Sequence, residues 1–275
     1  MIQKLQNLGL FVLAWTVWHE LCCRLIPSPP LVKKMPEETK KEKHLKRSKH
    51  YYYASCFISF LHGPVVLVIG LYIWAKYGYE LGEVTEGTQY DLPIYISCSY
   101  FIMDGIMGVV KNYESTMVTI HHLVCTVSQL VALLTNMDKG LIAWTIAIGE
   151  SSNPLLSIME IVVYNEYGKD LEDSIQLLFG ILFILIRVPF VIFTALPVLR
   201  GPSMLLQKIL CALVTFLSCE WCWAILNKMF KKFSEWFPKS KFFVKGYDTL
   251  KKARKFKFVY SGSAVMMIVY NMLIG

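Results

Sequence analysis

Apolar residues occupy this chain in long blocks separated by short polar interruptions, and within several blocks the few polar residues recur at helical spacing. Segments 2–26, 53–76, 94–110, 117–135, 140–163, 175–199 and 203–230 are each long and apolar enough to predict a membrane-spanning helix. The pattern predicts an all-α polytopic transmembrane bundle of seven spans. Residues 259–275 are apolar enough for an eighth. Most turns are very short, so neighbouring spans are expected to pack antiparallel. The first block has no small-x-small cleavage site ahead of Pro27-Ser28-Pro29-Pro30, so it reads as a retained span. His19 and Glu20, near its end, are expected to snorkel to the interface.

The polar residues form one stripe per span. Ser55, Ser59 and His62 share a face of the second span, and Ser97, Tyr100, Asp104, Gly108 and Lys111 a face of the third. His121, His122, Cys125, Ser128 and Gln129 follow in the fourth, and Ala143, Ala147, Glu150 and Ser157 in the fifth, with Asn153 beside them. Arg187 lies on the sixth stripe. Such stripes predict helices enclosing a common polar-lined cavity. Small and hydroxyl residues also serve as helix-packing glue, worth about 0.6 kcal/mol each. An ionisable group at mid-membrane costs about 2.5 to 3.5 kcal/mol even on lenient scales. Asp104, His121, His122, Glu150 and Arg187 therefore read as a site, with Glu150 and Arg187 as natural ion-pair partners, while His62 reads either as a packing histidine or as cavity lining.

Composition strengthens the membrane reading: 55% of the 275 residues are hydrophobic, more apolar matter than one soluble core uses. The formal charge of +8 is concentrated, with Lys and Arg crowded into residues 33–49 and 228–257. Six crossings separate these clusters, so both fall on one side, and the positive-inside rule makes that side the inner one. Basic loops of this kind favour anionic lipid surfaces, and nucleic acid is not an expected partner. Residues 239–258 alternate Lys with Phe, Tyr and Leu and predict a basic helix on the membrane surface. With about 1.5 Å of rise per residue, Asp104 and the histidine pair come out roughly 6 to 9 Å below the inner surface, and Glu150 and Arg187 near mid-membrane. Three regions follow: a first span and basic loop (1–47), a transmembrane domain (48–230) and a basic amphipathic segment with an apolar tail (231–275). The eight cysteines lie mostly within apolar runs, which argues for small core residues rather than disulfides. Cys219 and Cys222 form a CxxC with no second pair.

Taken together, His62 in a span after a basic loop, Tyr100-Phe101-Ile102-Met103-Asp104, the pair His121-His122, Gly149-Glu150-Ser151-Ser152-Asn153-Pro154 and Arg187 resemble the TLC family, membrane lipid proteins of seven or eight spans that include ceramide synthases. The resemblance covers about residues 48–230. Ceramide synthases continue the paired histidines with a His-Asp and a further Asp, whereas Trp144 to Glu160 contains no histidine. The chain thus looks more like the TLC domain-containing, non-synthase branch, whose members are associated with membrane lipid composition.

Two functions follow as expectations. In the first, the protein binds or remodels lipid in the intramembrane cavity with no bound cofactor or metal, and if it is catalytic its chemistry is acyl transfer. One of His121 and His122 then acts as general base or transient acyl acceptor, oriented by Asp104. His62, Glu150, Asn153 and Arg187 line the lipid-binding cavity, and acyl-CoA is the co-substrate, its phosphates drawn to the lysine-rich loops. In the second, the fold is a non-catalytic subunit that holds lipid in a larger membrane complex such as a respiratory assembly. A histidine-metal oxygenase ranks below both, because the six histidines form no HxxxH or HxxHH box. The expected location is an internal membrane, the endoplasmic reticulum first and the mitochondrial inner membrane as the alternative.

Overall fold

The structure, a computed structural model, describes residues 1–35, 40–78 and 81–253. The predicted eighth span, 259–275, lies outside the described residues. Those described are helical, apart from turns and a single antiparallel bridge between Val84 and Met137. Among the described residues, seven helical stretches are long and apolar enough to cross a membrane, as predicted. The chain divides into two compact units, Met1–Phe179 and Gly180–Gly275.

The first unit holds α1 (Ile2–Leu25), the short α2 (Pro30–Lys33), α3 (Lys40–Tyr77), α4 (Asp91–Val110), α5 (Thr116–Thr135), α6 (Lys139–Glu150), α7 (Asn153–Asn165) and the start of α8 (Lys169–Phe190). Helix α3 packs on α6 and α7, α4 on α5, and α1 on both α3 and α4. Their shared core includes Leu8, Val66, Ile94, Cys98, Ala132, Leu133 and Ile146. Polar side chains share this interior, and large apolar ones also face outward. Leu10, Leu13 and Val17 of α1 and Val68 and Tyr72 of α3 face outward, while Ser55, His62, Ser97, Ser99, Asp104, His122, Gln129 and Glu150 are buried. Lipid outside and polar contacts inside account for that distribution.

Three details differ from expectation. Helix α3 begins at Lys40, so much of the basic loop is helical. Its Lys, Glu, Leu and Arg residues are good helix formers, and 38 residues span about 57 Å, well beyond a hydrocarbon core of about 30 Å. The predicted span 140–163 is broken at Ser151-Ser152. Pro154 has no N–H to return to the Glu150 carbonyl, so the helix ends there and restarts. His19 does not snorkel: it is fully buried against the Tyr51 ring, with Cys23 Sγ 3.7 Å away.

The second unit contains the remainder of α8, a π-helical turn at Val191–Ala195 after Pro189, α9 (Leu196–Arg200), α10 (Leu205–Trp236) and α11 (Lys241–Ala253). The π-turn follows the proline that interrupts the α-helical hydrogen-bond ladder. Phe230 of α10 packs its ring against Phe242 and Phe243 of α11, and Phe233 stacks on Phe243. That contact holds the basic segment as a helix alongside α10.

Candidate functional site

The site begins with the way α4 stops. Asn112 adopts a left-handed conformation (φ 53°), the Tyr113 N–H donates to Gly108 O at 3.0 Å and the Asn112 N–H to Val109 O at 3.2 Å. This Schellman closure turns the chain back over its own helix. Ser48 Oγ fastens the turn from α3, donating to Lys111 O at 2.9 Å and also to Asn112 O. Tyr113 and Glu114 are thereby directed at the last turns of α4. Glu114 lies over Gly108, where a Cβ would stand 2.5 Å from its carboxyl carbon. Ser115 then caps α5 by accepting the Val118 N–H, and His122, two turns along, faces α4.

Asp104 is buried and accepts three hydroxyl bonds, from Ser55 at 2.6 Å, Tyr113 at 3.0 Å and Tyr100 at 3.3 Å. His122 bridges two carboxylates: Nε2 lies 3.8 Å from Asp104 Oδ2 and Nδ1 3.3 Å from Glu114 Oε1. All three side chains are less than one-tenth exposed. In so dry a setting a second carboxylate is tolerable only beside a positive charge or as the neutral acid. Burial pushes the Glu114 carboxyl above its ordinary range, the adjoining imidazole opposes that shift, and the Asp104 charge adds to it. Burial, and after it the Asp104 charge, likewise raise the Tyr113 phenol.

The two histidines therefore occupy different surroundings. His121 meets the edge of the Phe101 ring at 5.9 Å and has Cys125 Sγ 3.6 Å from its Nδ1. His122 is the one brought to Asp104.

Deeper in the unit, Glu150 and Asn153 stand on either side of the break between α6 and α7, and Asn153 Nδ2 donates to Glu150 Oε2 at 2.6 Å. Helix α3 closes on this break at Gly63, where a Cβ would sit 2.9 Å from Glu150 O. That approach brings His62 Nδ1 to 3.5 Å from Glu150 Oε2. His62 is fully buried and stacks on Tyr100 at 4.0 Å, while Tyr100 reaches Asp104 through its hydroxyl. A line of polar groups thus runs from Glu114 through His122, Asp104 and Tyr100 to His62, Glu150 and Asn153. Neither nitrogen of His62 makes a hydrogen bond among the described residues. Arg187 belongs to the second unit, where it is buried with its guanidinium 5.1 Å from the Phe183 ring centre.

Six of the seven residues singled out by sequence thus lie in the first unit: Asp104 with His122, His121 beside them, and His62 with Glu150 and Asn153. Glu114 and Tyr113 were missed. The pattern Asp104-x-x-x-Gly108, followed within six residues by an acid in a short turn, is the signal that points to them.

Atoms of Asp104, Glu114 and His122 lie within 4.8 Å of one another, close enough to hold a metal ion. The nearest contacts, however, use opposite nitrogens of the imidazole. The triad thus fits either an ion held by one His122 nitrogen and one oxygen of each acid, or an imidazole that bridges the two acids through both nitrogens.

The fold and this interior define an integral membrane protein whose helices enclose a buried acid-histidine-acid cluster. The family model of the TLC domain matches residues 52–227, well over half of the chain, and the protein belongs to the TLC-domain family. The match takes in the whole polar line in the first unit and Arg187. No curated protein sequence matches the chain.

Proposed function

We propose that the protein binds and remodels membrane lipid by acyl transfer, with His122 as the reactive base. The observation that carries this reading is the position of His122 between Asp104 and Glu114, 3.8 and 3.3 Å from their nearest oxygens. A base needs a partner that orients its ring and stabilises the imidazolium formed when it accepts a proton. Asp104, fixed by three hydroxyl donors, is suited to that role. In the reaction, His122 takes the proton from the hydroxyl or amine of a lipid acceptor, and the acceptor atom bonds to the acyl carbon. The carbon–sulfur bond of an acyl-CoA then breaks, and the thiolate recovers the proton from the imidazolium. Alternatively, an imidazole nitrogen receives the acyl group first and passes it on.

A lipid-facing interior is supported by unsatisfied polar atoms buried in the first unit. His62 Nδ1 and Nε2, Ser97 Oγ, Gln129 Oε1 and Ser152 Oγ are buried without a hydrogen-bond partner among the described residues. Each such group costs about 1 to 3 kcal/mol, so polar atoms of a bound molecule have partners waiting. His62, Glu150 and Asn153 are assigned to holding the acceptor. The basic inner loops fit the endoplasmic reticulum, with the mitochondrial inner membrane second, and the absence of histidine from Trp144 to Glu160 favours the non-synthase branch.

The test is consumption of long-chain acyl-CoA by purified protein in nanodiscs, compared with the variant carrying His121→Ala and His122→Ala. The expected loss is about 10² to 10⁴-fold, the usual contribution of a positioned acid or base. Equal turnover by the two would leave a non-catalytic, lipid-holding subunit as the better reading.

A further inference from the structure

The turn that delivers Glu114 to His122 also forms one wall of a separate cavity. It has a volume of about 200 Å³ and is lined by His44, Arg47, Ser48, Tyr51, Val110 and Lys111. A single water needs only about 10 to 15 Å³ of such space, so the pocket is roomy enough for an oxyanion with its ester linkage. Residues 44, 47, 48 and 51 share one face of α3, and Lys111 closes α4 opposite them. Arg47 Cζ lies 5.9 Å and Lys111 Nζ 4.5 Å from the centre of the Tyr51 ring, so a single aromatic surface supports both cations. Ser48 ties the two walls together through the Lys111 and Asn112 carbonyls. Lys111 pairs with Glu20 at 3.7 Å, a contact between two partly exposed groups. Such pairs are weak, so a more highly charged oxyanion can displace the carboxylate.

The geometry points to this cavity as a binding site for the phosphate group of an amphiphilic substrate. Arginine supplies a planar fork that matches phosphate oxygens, lysine adds charge from another direction, and the imidazole offers an N–H donor. Val110, at the apolar end of α4, is exposed beside them. A phosphate held here leaves its apolar chain at the membrane boundary, beside the turn whose Glu114 reaches His122. The assignment deepens the acyl-transfer reading and rests on it for the direction of the chain, but phosphate recognition itself is measured separately.

Two sources share this chemistry, a soluble nucleotide-linked acyl donor and a phospholipid headgroup. The full chain in phosphatidylcholine nanodiscs is titrated with coenzyme A, and in a second arm phosphatidic acid retained by the purified protein is counted by native mass spectrometry. The pocket variant is R47Q/K111Q, with R47Q alone as a milder form at an exposed position. The control is K43Q/K49Q, which removes the same charge from exposed sites on α3 outside the cavity. The pocket variant is expected to weaken one probe about tenfold or more, the control no more than about twofold, as diffuse screened attraction would. Selective loss of coenzyme A assigns the soluble donor, and selective loss of phosphatidic acid assigns the lipid. Equal losses in pocket and control variants for both probes overturn the proposal, whatever the acyl turnover. Selective phosphate loss in a protein with no acyl turnover would overturn acyl transfer and leave the pocket standing.

Discussion

Glu114 Oε1 lies 3.3 Å from Nδ1 of His122, on the side of the ring opposite Asp104. The contact makes the histidine a bridge between two acids, and it makes the charge of Glu114 depend on its burial. Because the Glu114 carboxyl is raised in the folded chain, that chain keeps a proton which the unfolded chain has already released. The stability from this proton is complete below the ordinary carboxylate value of about 4.3 and is lost as pH rises through the raised folded value. Glu114→Gln, neutral at every pH, is expected to flatten the melting temperature across that window and to be at least as stable at neutral pH. Thermal unfolding of the two proteins over a pH series checks this. An unchanged slope in E114Q would assign the dependence to another group.

Gly108 gives the same contact an independent handle. A methyl group there would stand 2.5 Å from the Glu114 carboxyl carbon, so Gly108→Ala displaces the side chain while leaving its charge in place. G108A is expected to reproduce the flattened pH profile of E114Q, measured by the same unfolding series. Retention of the native profile would show that Glu114 does not need this glycine to reach His122.

Asp104 depends on its hydroxyl donors, of which Ser55 is the nearest at 2.6 Å. Ser55→Ala is predicted to cost about 1.5 to 3 kcal/mol of stability, the range for hydrogen bonds to charged groups. The measurement is the shift in unfolding midpoint in detergent. A loss below a few tenths of a kcal/mol would mean that the two tyrosines hold the carboxylate without help.

At the opposite end of the first unit, fully buried Lys139 donates to Asp91 Oδ1 at 2.8 Å and to Gly87 O at 2.5 Å. Removing one member of a buried pair leaves an uncompensated charge, so Lys139→Met is expected to cost about 3 to 5 kcal/mol. Adding Asp91→Asn should restore much of that loss, because the stranded charge disappears with it. Thermal unfolding of the single and double variants checks the coupling, and additive losses would contradict it.

The elements that depend on long-range periodicity were legible in the sequence. Seven spans follow from apolar block length, and Asp104, His122 and Glu150 stand out because charge inside such blocks is costly. Features that depend on local geometry were harder to read. Glu114 sits in a five-residue turn, where an acid normally signals only a solvated interface, and nothing in the spacing shows that a Schellman closure folds it back over Gly108. Pro154 marks the break in the fifth span, yet a proline inside an apolar block also suits a kinked continuous helix. His19 looked like an interface residue because it lies near a helix end, but packing of α1 against the long N-terminal turns of α3 buries it. The histidine pair itself gave no reason to choose between its members. Both rings meet Phe101, but their other surroundings separate them, with His122 facing two carboxylates and His121 having Cys125 Sγ 3.6 Å from its Nδ1.

That separation yields the most direct test of the central claim. Acyl-CoA consumption is measured for His122→Ala and His121→Ala as single variants in nanodiscs, with unfolding midpoints recorded alongside. H122A is predicted to lose about 10²-fold or more of its turnover, the lower range for a positioned base, while H121A keeps most of it. Equal turnover by folded H122A and the unaltered protein, or a larger loss in H121A, would contradict the assignment of His122.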